Sequence, residues 1–294
     1  MSRNRLRVKI ASLLLLVACA AFAQEAAKKD NIAGPYVPSP WPIVDEMIKL
    51  ADIGPNDLVY DLGSGDGRLV TAAAKRHGAR GVGIEIQTQL VELANIQAKH
   101  EGVSDRVKFT AADLFETDLR GASVVTLYLL PRFVTRLVPK LREELAPGSR
   151  IVSHDYPLVP WPSDKTLIFD VPEKENISGS MRTTLYYYVV PARIGGHWKF
   201  SVPMDVSPAA FDLHFLQGPD SLEGRIETAG RTFTLRDVTV KAKDIRFGLF
   251  YNGRLMQFSG TVEGDTMSGE LRATNYRERW SAKLVDRAGH GSPK

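Results

Sequence analysis

The chain has 294 residues, 44% hydrophobic and 24% charged, proportions ordinary for a soluble globular protein. Its formal net charge of +4 is small, and Arg3, Arg5, Arg7 and Lys9 at the N-terminus supply as many positive charges, so charge makes no case for a nucleic-acid surface. Cys19 is the only cysteine, which rules out an intramolecular disulfide, and no histidine–cysteine cluster suggests a metal.

In chain order, the basic stretch to Lys9 is followed by an apolar run from Ile10 to Ala23 that ends Ala21-Phe22-Ala23. A basic start, a short apolar segment and an A-x-A site predict a secretory signal peptide over residues 1–23 and an exported chain, periplasmic or secreted. Leu16-Val17-Ala18-Cys19 in the same run also resembles a bacterial lipobox, in which a lipidated Cys19 would make the mature chain a membrane-anchored lipoprotein. Residues 24–33 read as a polar linker. Without the signal, about 270 residues remain, enough for two domains.

Gly34 to Pro42 is held extended by its prolines, and Tyr36 to Ser39 within it is a candidate lid over a ligand. A helix follows, with Ile43, Val44, Met47, Leu50 and Ala51 in one stripe, and Gly54-Pro55 stops it. Val59 to Leu62 has strand character and runs into Gly63-Ser64-Gly65-Asp66-Gly67, after which Leu69, Val70 and Ala72 to Ala74 begin a helix. Strand, glycine turn and helix start form a nucleotide-binding corner, because the helix points its unpaired N–H groups at the turn. The third glycine comes too early for a dinucleotide fingerprint, which disfavours NAD.

Gly81 to Ile86 is the second strand, and Glu85, about 18 residues beyond Gly67, is placed to accept from both ribose hydroxyls of a bound nucleoside. Gln89 to His100 is an amphipathic helix and Arg106 to Thr110 a third strand, followed by Asp113-Leu114-Phe115. Ala122 to Leu129 suits a buried parallel strand. The helix after Pro131 has Phe133, Leu137, Leu141 and Leu145 in step, and Pro139 within it predicts a kink or break near Val138. Ser149 to Ser153 is the fifth strand, with His154-Asp155-Tyr156 at its end, and Thr166 to Val171 and Thr183 to Val190 are two more. Ligands of open α/β sheets bind beyond the carboxyl ends of the strands, where Asp61 to Gly67, Glu85, Asp113, Tyr128 and His154 all fall.

Asp61-x-Gly63-x-Gly65-x-Gly67 resembles motif I of the class I S-adenosylmethionine-dependent methyltransferases. With Tyr36-Val37-Pro38-Ser39, Asp113-Leu114-Phe115, Leu127 to Pro131 and Val152-Ser153-His154, residues 36–161 resemble a narrower group. That group comprises the protein-lysine methyltransferases of the ATP synthase c subunit and the adenine nucleotide translocase. The resemblance implies S-adenosylmethionine as cofactor, cradled by Tyr36, Asp61, Gly63, Ser64, Gly65, Gly67, Glu85, Asp113 and Leu114. Asp61 would help hold the ammonium, Asp113 would face the adenine amino group, and Leu114 or Phe115 would stack on the ring. It implies a lysine acceptor on a protein, with a small-molecule acceptor as the other option.

An amine must be neutral to attack a methyl group, so Tyr128, Asp155 and His154 are the candidate catalytic residues, while Tyr36, Tyr128 and Trp161 could hold an alkyl-ammonium on their faces. An exported binding protein on a methyltransferase scaffold is the competing class. The expected fold is α/β, a mostly parallel, seven-stranded Rossmann-like methyltransferase sheet over 34–191. From 192 to 287 short alternating strands, with turn signals at Asn252-Gly253 and Glu263-Gly264-Asp265, predict an antiparallel barrel or sandwich of about eight strands. That β domain would be a structural module or a binding cup, and 288–294 a tail.

Overall fold

The computed structural model describes residues 36–202, 211–228, 230–274 and 276–287. The expected signal peptide, the linker with Cys19 upstream of it, and the tail lie outside the described residues.

Two sheets build the molecule. The first has the order β3-β2-β1-β4-β5-β7-β6. Its strands are β1 (Leu58–Leu62), β2 (Arg80–Glu85), β3 (Val107–Ala111), β4 (Val124–Leu127), β5 (Arg150–His154), β6 (Lys165–Asp170) and β7 (Arg182–Val189). β1 to β5 run parallel, and β7 inserts antiparallel between β5 and β6. β4 is buried at every residue, as a central parallel strand must be.

Alternation along the strands sends side chains to two different cores. Val125, Leu127 and Ile151 meet Phe133, Leu137 and Leu141 of helix α4 (Pro131–Glu144) on one face. Val59, Val124 and Val152 meet Ile43 and Met47 of α1 (Trp41–Leu50) and Leu69 and Ala73 of α2 (Arg68–His77) on the other. Helix α3 (Thr88–His100) covers the β2–β3 end through Val91, Ala94 and Ala98.

The break expected near Val138 does not occur, and α4 runs through Pro139. Pro139 and Thr135, whose carbonyl would otherwise accept the missing N–H, both face solvent or its margin, so water can take the orphan acceptor. A short helix not read from the sequence, α5 (Pro172–Ser178), joins β6 to β7. Its signals are Pro172 at the first helical position, Glu173 and Glu175 in the first turn and Gly179 at the end.

The second sheet has nine antiparallel strands rather than eight, in the order β11-β10-β9-β8-β16-β15-β14-β13-β12. β8 (Gly196–Ser201), β9 (Phe211–Gln217) and β10 (Leu222–Thr228) precede β11 (Arg231–Thr234) and β12 (Arg236–Lys241). β13 (Asp244–Tyr251), β14 (Arg254–Glu263), β15 (Thr266–Ala273) and β16 (Tyr276–Asp286) complete it. The extra strand arises because the run from Thr232 to Val240 divides at Leu235. There the buried Leu235 side chain turns inward, its N–H still bonds Gly224 O at 2.8 Å, and a bulge follows at Asp237, φ +50°. The two edge strands are consecutive in sequence, so the sheet closes nearly into a barrel rather than a sandwich. Phe247 stacks on Phe258 at 4.7 Å in its centre, with Trp280 edge-on to both.

Candidate active site

The end of β1 delivers Asp61 and the glycine turn to the top of the first sheet. Gly63 N–H and Ser64 N–H both donate to Ile84 O, at 2.8 and 3.0 Å, which clamps the turn to the tip of β2. Gly65 takes φ +53° and Gly67 φ +76°, conformations that favour glycine. The Tyr36 ring lies across Gly65 so closely that a Cβ there would sit 2.5 Å from a ring carbon. Gly67 does not line the cleft. It starts α2, and a Cβ on it would meet Phe109 and Ala94 instead.

The three expected acids do converge on one cleft, together with Tyr36, Leu114 and Tyr128. Glu85 accepts from Gly65 N–H at 3.0 Å on one oxygen and from Gln87 N–H at 2.9 Å on the other, so each oxygen keeps a lone pair for further donors. Asp113 is fixed by Phe115 N–H at 2.8 Å. Of the two apolar neighbours considered for the adenine ring, Leu114 lines the cleft, whereas Phe115 stacks on Phe133 and carries the Arg136 guanidinium 3.8 Å over its face.

Asp61 is buried, and the partner given by its hydrogen bonds is the Thr126 hydroxyl at 2.7 Å, not a cation. Burial, aided by the neighbouring Asp66 and Glu85, outweighs that bond and pushes its carboxyl up to about 7. Ser64 also lines the cleft, and its buried hydroxyl has no hydrogen-bond partner among the described residues. An acid buried with no counter-ion among the described residues, a hydroxyl left unused there and a bare glycine turn fit S-adenosylmethionine, whose methionine end brings an ammonium.

Residues not singled out from the sequence hold the Tyr36–Ser39 strap over this cleft. Asp66 takes the Arg68 guanidinium in a fork at 2.9 and 2.6 Å, and Arg68 Nη1 donates to Ser39 O at 2.9 Å. Tyr36 hydrogen-bonds to Asp66, and its phenol is raised to about 12, chiefly by burial. The sequence signal was present, since an acid and an arginine two apart flank Gly67, but the strap they reach lies 29 residues away.

The candidate catalytic residues separate. Tyr128 lines the cleft. Its phenol is raised to about 12, first by burial and then by Asp155 and Tyr156, so it is protonated at neutral pH. His154 is fully buried beneath it, ring centroids 3.9 Å apart, and burial lowers its imidazole to about 4. The 3.5 Å approach of His154 Nε2 to Asp155 is therefore a contact between a neutral ring and a carboxylate, not an ion pair. Asp155, at φ +62°, pairs with Lys174 Nζ at 2.6 Å and accepts from Thr184 N–H at 3.1 Å, and neither it nor His154 lines the cleft. Trp161 is not available to an alkyl-ammonium: it is buried against Tyr188 at 5.4 Å, with Arg142 already 5.2 Å from its ring centre.

Sheet, glycine turn and cleft are those of a class I methyltransferase that uses S-adenosylmethionine. A family model described as the ANTKMT methyltransferase domain matches residues 61–165. A protein-lysine N-methyltransferase of Saccharolobus islandicus (strain REY15A) is 37% identical over 158 residues, covering 53% of this chain and 93% of that protein. An adenine nucleotide translocase lysine N-methyltransferase of Mus musculus is 37% identical over 127 residues, 43% of this chain and 55% of that one. Among solved structures, an RNA methyltransferase from Salinibacter ruber in complex with S-adenosyl-L-homocysteine is 46% identical, with a TM-score of 0.49, covering 58% of this chain and 99% of that one. The chain belongs to the family of protein-lysine N-methyltransferases.

Proposed function

We propose that this chain is an exported enzyme that methylates the side-chain nitrogen of lysine in a protein substrate. The observation that carries the reading is the convergence of Asp61, Glu85 and Asp113 on one glycine-floored cleft whose wall includes the Tyr128 phenol. When bound, S-adenosylmethionine supplies the sulfonium methyl group that an amine attacks. Asp61 would hold its ammonium, Glu85 would accept from its ribose hydroxyls, Asp113 would face its adenine amino group, and Leu114 would pack on its ring. The strap from Tyr36 to Ser39 lies over the glycine turn and keeps water from that side.

Tyr128, still protonated at neutral pH, offers an oxygen lone pair that can orient the incoming amine. It is no base, and Asp155 is already tied to Lys174 outside the cleft. The chain therefore works by positioning, and the lysine sheds its proton to solvent before attack. Export is supported by the basic and apolar N-terminus, and the lipobox-like run ending at Cys19 also allows a lipid anchor.

Incubating the purified chain with methyl-labelled S-adenosylmethionine and periplasmic or membrane extracts, then hydrolysing the protein, should release labelled methyl-lysine. No label in protein, together with no calorimetric affinity for S-adenosylhomocysteine, would overturn the assignment. Fractionation of cells carrying the full chain, with the mass of the mature N-terminus, tests export: intact Met1 in the cytoplasm would refute it.

A further inference from the structure

A line of contacts runs from a lysine outside the cleft to the strap over it. Lys174 of α5 is only 3% exposed, pairs with Asp155 Oδ2 and donates to Arg182 O, both at 2.6 Å. Asp155 Oδ2 lies 3.5 Å from His154 Nε2, which is buried and makes no hydrogen bond among the described residues, so this link is electrostatic, while His154 Nδ1 meets Ser39 Oγ at 3.2 Å. Ser39 lines the cleft. Asp155 reaches this place through a left-handed backbone at φ +62°, which an aspartate tolerates at some cost and which is locked by its bonds to Thr184.

We infer that Lys174, Asp155 and His154 form a positioning relay that fixes the Ser39 hydroxyl as a hydrogen-bond acceptor toward the cleft, where it shares with Asp61 the ammonium of the cofactor. A neutral imidazole has one N–H and one lone pair. A carboxylate opposite Nε2 repels a lone pair and attracts an N–H, so the proton sits on Nε2. Nδ1 then carries the lone pair and can only accept, which obliges Ser39 Oγ to donate its single proton to it. The hydroxyl is left with lone pairs alone for anything in the cleft, and an N–H cation satisfies them. Lys174, 2.6 Å from Asp155 Oδ2, holds the carboxylate in place against His154. The inference rests on the cleft binding S-adenosylmethionine as proposed above.

The test uses the full chain, its ¹⁵N-histidine spectrum, and two ligands: S-adenosylhomocysteine, which carries the ammonium, and 5′-methylthioadenosine, which lacks it. In the unmutated chain His154 should be the Nε2–H tautomer, and Asp155→Asn should mix the tautomers. Ser39→Ala and Asp155→Asn should each weaken S-adenosylhomocysteine about tenfold, the worth of one hydrogen bond to a charged group at the low end. The double variant should be no weaker than either single one, and methylthioadenosine affinity should stay unchanged throughout. Ser39→Thr should restore binding.

An Nδ1–H tautomer in the unmutated chain overturns the relay, as do multiplying losses in the double variant or equal losses for both ligands. Ser39 lies in the partly exposed strap, so Ser39→Ala keeps the test open even where Asp155→Asn unfolds. Failure of the unmutated chain to bind S-adenosylhomocysteine would instead refute the cofactor assignment itself.

Discussion

Tyr36 and Gly65 are packed ring to backbone, with no room between them for a methyl group. Gly65→Ala would add both the clash and a left-handed strain at φ +53°. The strap should lift from the turn. Calorimetry is expected to show S-adenosylhomocysteine affinity falling by about a hundredfold, with about 1–3 kcal/mol lost from chemical unfolding. Unchanged affinity would separate the strap from the ligand site.

With Asp61 holding the ammonium as proposed above, cofactor binding should depend on pH in a definite direction. Its carboxyl is raised to about 7 in the free protein, while an ammonium needs the charged form. Affinity should therefore fall about tenfold per unit as pH drops below 7, and binding near pH 7 should release a proton. Calorimetry in buffers of different ionisation heat measures that release. The same group burdens the fold, because a carboxyl whose native pKa lies above its unfolded value loses stability as pH rises between the two. Asp61→Asn should raise the unfolding midpoint at pH 8 while abolishing measurable affinity for the cofactor. A lower midpoint at pH 8 would contradict the burial account.

Tyr128→Phe should reduce kcat about tenfold by removing the oxygen that orients the amine, and leave the cofactor affinity in place. Because no group in the cleft acts as a strong base, the rate with a lysine acceptor should climb with pH toward the ordinary lysine value, about 10.4, in both proteins. A plateau near neutrality in the unmutated chain that is lost in Tyr128→Phe would point to a base after all.

Trp161 belongs to the core, so Trp161→Phe should lower stability by about 1–2 kcal/mol through lost packing on Tyr188 and Arg142, with kcat/KM unchanged. A selective rise in acceptor KM would restore it to the substrate path.

The convergence of Asp61, Glu85 and Asp113 on one cleft was legible because its parts are local. The turn at Gly63 to Gly67, Glu85 at the tip of the second strand and Asp113 after the third each sit at a strand end, and strand order does the rest. Partners set by tertiary packing were not. Lys174 lies in Pro172 to Ser178, a segment given no element from the sequence, and its pairing with Asp155 is made only in the fold. Trp161 and Phe115 looked like ligand-facing aromatics, but Arg142 and Arg136 occupy their faces. Pro139 was expected to break a helix, yet its placement toward solvent removes the penalty that would have done so. Thr232 to Val240 alternates throughout, and alternation alone does not reveal that Leu235 turns the sheet's corner.

The last strand among the described residues, β16, is not at an edge of its sheet: it pairs with β8 on one side and β15 on the other. The methyltransferase sheet needs nothing beyond Val189 for its strand pairing, whereas the barrel cannot join its first strand, β8, to β15 until β16 has emerged. Synthesis thus delivers the catalytic half early and the barrel all at once, and a premature stop before Tyr276 would cut the barrel through its middle instead of trimming its rim.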